Sequence, residues 1–537
     1  MFNNNPYNNE NKSKRQPVYA NNGVVATSQP LASQAGLEIL QKGGNAIDAA
    51  IATAACLTVV EPTSNGIGGD AFAIVWFNEQ MYGLNASGKS PKNISIDALN
   101  RKGYKAMPKF GTYPITVPGA PSAWVALSER FGRLSLKDCL APAIQYAEQG
   151  YPLSPELAKS WDAATKAYQK VFNDPMFEPW FDTFTINKQA PKAGDTWKSL
   201  GHANTLKAIA ETHGKAFYHG DIAEKIANYI QTHGGFLSLE DLKAHKPLWV
   251  EPISANYKGY DIWELPPNGQ GLITLQSLTM LAQLNQKSIK PEHRLHYAIE
   301  SLKLAFTDAL EHITDNTYMN YSPDDFLTDL YAKERLSKIT DKATLPTAAK
   351  PHKGGTVYLA TADRDGNMVS FIQSNYMGFG SGIVIPNTGI ALQNRGHNFS
   401  MDKSHVNALA PNKRSYHTII PGFVTKDNKG IGPFGVMGGF MQPQGHLQVI
   451  LNSIDDQMNP QAALDRPRWQ WIEKNTLHVE SDFPKDLIES LRNRGHNVIV
   501  KEQYSSFGRG QIIWRNNAQK TYVAGTEKRT DGTISIY

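Results

Sequence analysis

The stretch HKGGTVYLATADRDGNMVSFIQSN, His352 to Asn375, constrains this chain more than any other. Two short alternating apolar runs, Val357–Ala362 and Met368–Ile372, flank Asp363-Arg364-Asp365-Gly366, and the pattern predicts a hairpin. Gly354-Gly355-Thr356 stands directly before the first run. A flexible entrance needs no particular third residue, whereas a hydroxyl there has a chemical use. A threonine placed first in a chain carries its own base, because an α-amine with a pKa of about 8 accepts the hydroxyl proton. To reach that place, Thr356 must lose its bond to Gly355. Its hydroxyl can attack the Gly355 carbonyl, giving an ester that water opens. Glycine at 355 suits the step by tolerating strained backbone angles. On the hairpin alone the plainer reading stays open: a β-branched residue starting a strand after a glycine turn.

The rest of the chain sets the setting for that threonine. At 537 residues, 41% hydrophobic and 19% charged, it has ample material for a large core. A net charge of +5 with no Lys/Arg-rich stripe argues against a nucleic-acid partner. No run of about 18 apolar residues appears, so no membrane-spanning helix is expected. The polar start, residues 1–22, reads as a frayed tail without a signal-peptide core, and a cytoplasmic location is the expectation. Cys56 and Cys139 stand in apolar surroundings and read as two inert buried thiols.

Helical periodicity from Ser28 (Leu31, Ala35, Ile39, Leu40) stops at Gly43-Gly44. Asn45 then caps a second helix with Asp48 at its third position and an alanine face, Ala46, Ala49, Ala50 and Ala54. A Gly-rich loop feeds a strand over 71–77, paired with 81–84. Residues 120–340 read as mostly helical, with the clearest amphipathic helix over 291–313. Beyond Gly355 the texture changes to strands and glycine turns. A helix near 444–454 and a strand pair, 510–514 and 521–524, close the chain.

Several motifs fail on inspection. Gly66 to Ala71, GIGGDA, satisfies a dinucleotide fingerprint on paper, but a polar turn precedes it and a strand follows. No H-E-x-x-H or paired C-x-x-C occurs, so neither a metal nor another cofactor is called for. His293 and His296, three apart on the long helix, read as surface histidines. Gly378 to Gly382, GFGSG, lacks the nucleophile-elbow spacing.

Ordered along the chain, GGNAIDAAIA, EPTSNGIGGDAF, VPGAPSAW, GGTVYLATADRDGN, GFGSGIVIPNTGIALQNRG, APNKRSYHTIIP and GVMGGFMQPQGHLQVILNSID resemble the γ-glutamyltransferase (glutathione hydrolase) family of N-terminal nucleophile hydrolases. The likeness runs from about Gly23 to the C-terminus. It implies an α/β (α+β) fold, a four-layer αββα sandwich, made as one proenzyme. Cleavage before Thr356 would give a large chain (23–355 after the tail) and a small chain (356–537) that associate as one unit. Thr356 would then form an acyl-enzyme with a γ-glutamyl amide such as glutathione, released to water or an amine acceptor. By the same resemblance Gly438 and Gly439 supply the oxyanion hole, Ser374 orients the threonine, and Asn394 lies beside the pocket. His417 and Thr418 stand where a paired-serine motif holds the donor's α-carboxylate.

The departures bear on substrate. Where the better-known transferases carry a carboxylate-gripping arginine, NASGKSP has Ser87, with Lys89 nearby. The family glutamine becomes Arg395, and the aspartate that holds the α-ammonium becomes Asn398. An unpaired buried ammonium is costly, while Arg395 could take a carboxylate bidentately. This version resembles the branch containing cephalosporin (glutaryl) acylases. A short 400–411 loop would leave the pocket open and favour hydrolysis. Two alternatives therefore stand beside the γ-glutamyl reading: a glutaryl or other N-acyl amide acylase, and an unprocessed, non-catalytic binding paralogue. The small-molecule amide is the expected partner.

Overall fold

The computed structural model describes residues 15–284, 290–346, 355–502 and 504–537, so Gly354 and residues 1–14 of the expected tail lie outside the described residues. Two seven-stranded antiparallel sheets stack face to face. The first runs Thr533–Ile536, Gly23–Thr27, Gly355–Asp363, Met368–Tyr376, Asp70–Phe77, Gln80–Asn85 and Leu248–Val250. The second runs Val18–Ala20, Thr521–Thr526, Arg509–Asn516, Lys429–Met437, Gly422–Lys426, Tyr260–Glu264 and Ile253–Tyr257. Three cores separate the layers, as an αββα sandwich requires. Between the sheets lie Phe72, Ile74, Tyr358, Ile372, Phe423 and Ile513. Helices such as Ala46–Val60 cover the outer face of the first sheet. Gly271–Ala282 and Gln442–Ile454 cover that of the second.

Strands from both sides of Gly355 interleave in each sheet, so the glycine pair marks no boundary in space. The predicted hairpin forms over Gly355–Asp363 and Met368–Tyr376, buried along its whole length. Its turn is held by Asp363, whose Oδ1 accepts from the Asp365 and Asn367 amides at 2.9 and 3.1 Å. The other carboxylate oxygen accepts from Ala46 N at 2.9 Å, which seats a negative group at the start of a helix. That helix starts as its sequence indicates: Asn45 Oδ1 accepts from the Ile47 and Asp48 amides, and Asp48 Oδ2 from Asn45 N. Its alanine face lets the preceding helix approach closely. A Cβ at Gly36 would stand 2.3 Å from Thr53 Oγ1.

Three expectations are corrected. Residues 18–20, inside the expected tail, pair with 522–524 as an edge strand, because that edge offers unpaired backbone groups. The 120–340 stretch contains the strands Leu248–Val250, Ile253–Tyr257 and Tyr260–Glu264, whose tight turn at Gly259 outweighs the helical texture around them. His296 is fully buried, its Nε2 donating to the Thr340 carbonyl at 2.8 Å and its Nδ1 2.9 Å from His496 Nε2. Both cysteines are buried and free. Among the described residues no helix is long and apolar enough to cross a membrane.

Candidate active site

Register brings three hydroxyl and carboxylate residues into one row. Ser374 pairs directly with Asp70 on the neighbouring strand. On its other side the pairing shifts between Gly355 and Val357, a bulge that places Thr356 opposite neither partner in regular register. Gln373 points into the helical layer, donating to Asn65 Oδ1 at 2.7 Å, so alternation turns Ser374 and its partner Asp70 toward the other sheet.

Thr356 Oγ1 donates to Ser374 Oγ at 3.0 Å, and Ser374 Oγ donates to the Gly355 carbonyl at 2.7 Å. The hydroxyl of Ser374 thus joins the candidate nucleophile to the candidate scissile carbonyl. Tyr376 N also donates to Ser374 Oγ, at 2.8 Å. Tyr376 is itself left-handed (φ 74°), a conformation that costs a bulky residue about 1–3 kcal/mol. At position 355 the structure adds a reason for glycine beyond the tolerance of strained angles. Glycine is needed for space: a Cβ there would lie 2.6 Å from Gly378 N and 3.2 Å from Ser64 Cα.

Arg395 is 1% exposed and lies over the Tyr376 ring, 4.4 Å from its centroid. Its Nη1 donates to Thr418 Oγ1 at 2.7 Å, and its Nη2 reaches Ser374 Oγ at 3.4 Å. The second contact is the weaker, since the two lone pairs of Ser374 are already taken by Thr356 and Tyr376. Nε is 3.9 Å from Asp70 Oδ2 and has no hydrogen-bond partner. Burial lowers the guanidinium to about 10, so it is charged at neutral pH. His417 Nδ1 accepts from Ile419 N, which leaves Nε2–H to donate to Asp70 Oδ2 at 3.0 Å. Burial, with Arg395 nearby, pushes His417 well below the usual histidine range, so it is neutral. The same burial raises Asp70 to about 7 against the opposing pull of Arg395.

Gly438 and Gly439 follow the strand Lys429–Met437 with φ of 138° and 62°, angles that favour glycine. The Gly438 carbonyl accepts from Met441 N, so the Gly439 N–H across the same peptide points the opposite way. Gln270 ties this turn to the charged side: its Nε2 donates to both Thr418 O (2.6 Å) and Gly439 O (2.9 Å). Asn398 donates to Tyr416 O at 3.0 Å, and Tyr416 OH donates to Gln270 Oε1 at 2.9 Å. Asn394 is buried beside the hairpin end, accepting from Met377 N and donating to Lys109 O. Arg414 Nε donates to Ser87 O at 3.0 Å, an internal tie.

The structure thus joins Thr356, Ser374, Gly355, Arg395 and Thr418 in one hydrogen-bonded system, with Gly439 and Asn398 attached through Gln270 and Tyr416, and places His417 beside it on Asp70, which lies in ion-pair range of Arg395. Lys89 is not among them: its side chain is exposed, and its carbonyl accepts from Val117 N. Sequence reasoning missed Asp70, Gln270 and Tyr376. Asp70 was in view within GIGGDA, whose glycines turn out to serve close packing. A Cβ at Gly69 would stand 2.7 Å from Ser374 O, and one at Gly68 2.4 Å from Ala391 O.

A two-sheet αββα sandwich whose central hairpin presents a hydroxyl residue directly after a glycine defines the class of N-terminal nucleophile hydrolases. A model of the gamma-glutamyltranspeptidase family matches residues 32–537, and the chain belongs to that family. It is 37% identical to a glutathione hydrolase-like YwrD proenzyme of Bacillus subtilis, covering 95% of this chain and 99% of the relative. It is 32% identical to an oxamate amidohydrolase proenzyme of Klebsiella pneumoniae, over 96% and 98% of the two chains. A crystal structure of cephalosporin acylase from Bacillus halodurans superposes with a TM-score of 0.95 at 53% identity, over 99% of both. The protein is an enzyme of this hydrolase family.

Proposed function

We propose that the protein is a self-processing amide hydrolase whose nucleophile is Thr356, acting on amides of short acyl groups that carry a distal carboxylate. One observation carries the reading: Ser374 hydrogen-bonds both the Thr356 hydroxyl and the Gly355 carbonyl in the uncut chain. Attack of Oγ1 on the Gly355 carbon passes negative charge to the oxygen that Ser374 already contacts. The Thr356 nitrogen leaves with a proton, and water opens the ester. The new α-amine then serves as base for the same hydroxyl. In turnover, Thr356 takes the acyl group from the amide and the amine departs. Gly438 and Gly439 supply backbone donors to the tetrahedral oxyanion, an effect of about 3–4 kcal/mol per donor. Water releases the acyl group, or an amine acceptor takes it.

The acyl carboxylate belongs on Arg395, a buried cation with spare N–H groups two hydrogen bonds from the nucleophile. Glutaryl and γ-glutamyl groups share this carboxylate and differ by the α-amine. Asn398 offers that amine no charge: its Nδ2 donates to Tyr416 O, and an ammonium would meet only the neutral Oδ1. The glutaryl-type acyl group is therefore favoured over γ-glutamyl, in keeping with the similarity to a cephalosporin acylase.

Intact-mass spectrometry of the purified protein and of Thr356→Ala tests the reading. Wild type should yield fragments breaking between Gly355 and Thr356, and the variant one uncut chain. A wild type that stays uncut and inactive would leave the non-catalytic paralogue in its place.

A further inference from the structure

Asp70 has no part in the reaction above, yet it is buried against the group that should receive the substrate's charge. It faces the site from the strand next to Ser374 and touches what surrounds Arg395. Its Oδ2 lies 3.9 Å from Arg395 Nε and accepts from His417 Nε2 at 3.0 Å. Thr418, adjacent to His417, holds Arg395 Nη1. Among the described residues, Arg395 Nε and the hydroxyl of Tyr376, whose ring Arg395 covers, are buried without a hydrogen-bond partner. A buried donor left unpaired is costly, so a carboxylate brought to Arg395 Nε would be favoured there.

A guanidinium and one carboxylate balance each other. A second carboxylate, brought by the substrate, must share the guanidinium with the first. With Arg414 balanced by Asp315 and tied to the Ser87 carbonyl, two carboxylates on Arg395 leave an excess negative charge in a low-dielectric site, which is costly. We propose that Asp70 is a specificity-determining positioning residue: the built-in counter-ion of Arg395, competing with the carboxylate of an incoming acyl group and so setting which acyl charge the site accepts. The inference rests on the reading that Arg395 receives that carboxylate.

The competition has a pH signature. Around Asp70 stand Arg395 and Arg414, both charged, the neutral His417, the backbone amides of Gly88 and Gly119, and the Tyr218 phenol. Burial dominates and raises Asp70 to about 7. Below that pH Asp70 holds a proton, and Arg395 is free for the substrate. Above it Asp70 is charged and holds Arg395 itself. Anionic acyl donors should lose ground as pH rises through about 7, while neutral donors should not.

The experiment compares kcat/KM for glutaryl and valeryl p-nitroanilides, which have equal chain length and the same leaving group, from pH 6 to 8. Ionisation of the Thr356 amine affects both donors alike and cancels in the ratio, and the glutaryl carboxylate stays ionised throughout. The wild-type glutaryl/valeryl ratio should fall about tenfold across that range, as for one group titrating near 7. In Asp70→Asn the ratio should be flat and, at pH 8, about tenfold above wild type. In His417→Asn, which removes a donor to the ionised carboxylate, the fall should move to higher pH. A flat wild-type ratio, or an undiminished slope in Asp70→Asn, overturns the inference. The wild-type profile decides alone if Asp70→Asn does not mature. Arg395→Gln separates the two readings: if it leaves the ratio unchanged, the carboxylate site on Arg395 is wrong, whatever Asp70 does.

Discussion

The hydroxyl half and the charged half of the site are built on different principles. Thr356, Ser374 and the Gly355 carbonyl sit on two strands of one hairpin, with no more than 19 residues between any two of them. Ladder hydrogen bonds fix their distances. Arg395, Asp70, His417 and Gln270 come from four separated segments; side-chain contacts bring Arg395 and Asp70 to the others, and backbone hydrogen bonds join the Gln270 and His417 segments. Under the proposed function, local register secures the bond-making chemistry, whereas recognition of the acyl group depends on long-range convergence. Chemistry of the first kind survives changes in the second. Relatives named glutathione hydrolase-like, oxamate amidohydrolase and cephalosporin acylase over nearly the same length fit that division.

The comparison breaks first at the hairpin. Thr356→Ala should abolish maturation outright. Ser374→Ala should slow it about hundredfold, the cost of a removed hydrogen bond to developing charge, while the glutaryl/valeryl ratio of whatever matures stays as in wild type. A time course of intact masses reads the rate. A changed ratio in matured Ser374→Ala would show that the halves are not separable, because Arg395 Nη2 would then depend on Ser374 for its position.

Gly355→Ala is milder. Its methyl would stand 2.6 Å from Gly378 N, against backbone that has its own left-handed turn (φ 57°) to keep. Overpacking of that kind costs about 1–3 kcal/mol and should slow cleavage about tenfold by displacing the carbonyl from Ser374. Mature enzyme, once formed, should turn over normally, since residue 355 is then no longer bonded to the nucleophile. Slow maturation with impaired turnover would place the glycine in the acyl site instead.

The same division explains what could be read from sequence. The hairpin, the glycine pair before Thr356 and the Asn45–Asp48 capping box are local patterns, each legible from neighbours a few residues away, whereas the roles read for Thr356 and Ser374 came with the family likeness. The interleaving of strands from both sides of Gly355 was legible only through family likeness, because no local signal says that 23–27 pairs with 359–363. Asp70 was overlooked for a physical reason: its meaning comes from register with Ser374 and from His417, 347 positions away. Tyr376 carries a positive φ that no propensity predicts for a tyrosine. His296 was misread because periodicity gives the apolar face of a helix and not which polar residue finds a partner beneath it.

Lys89 gives the smallest expected effect and the finest discrimination between the halves. By sequence it was the nearest cation to the vacated arginine position and a rival of Arg395 for the acyl carboxylate. The structure separates them: Lys89 is exposed, and Ser87, two residues before it, is turned inward to Asn85 Oδ1 at 2.7 Å. An exposed ammonium interacts with a carboxylate by about 0–1 kcal/mol, against about 1.5–3 kcal/mol for a buried charge-assisted hydrogen bond. Lys89→Ala should therefore change kcat/KM for a glutaryl anilide by less than about twofold, where Arg395→Gln should cost about tenfold or more. A tenfold loss in Lys89→Ala would mean that the 86–90 loop folds over the bound acyl group. Charge recognition would then be shared between a buried residue and a surface one, and Asp70 could control only part of it.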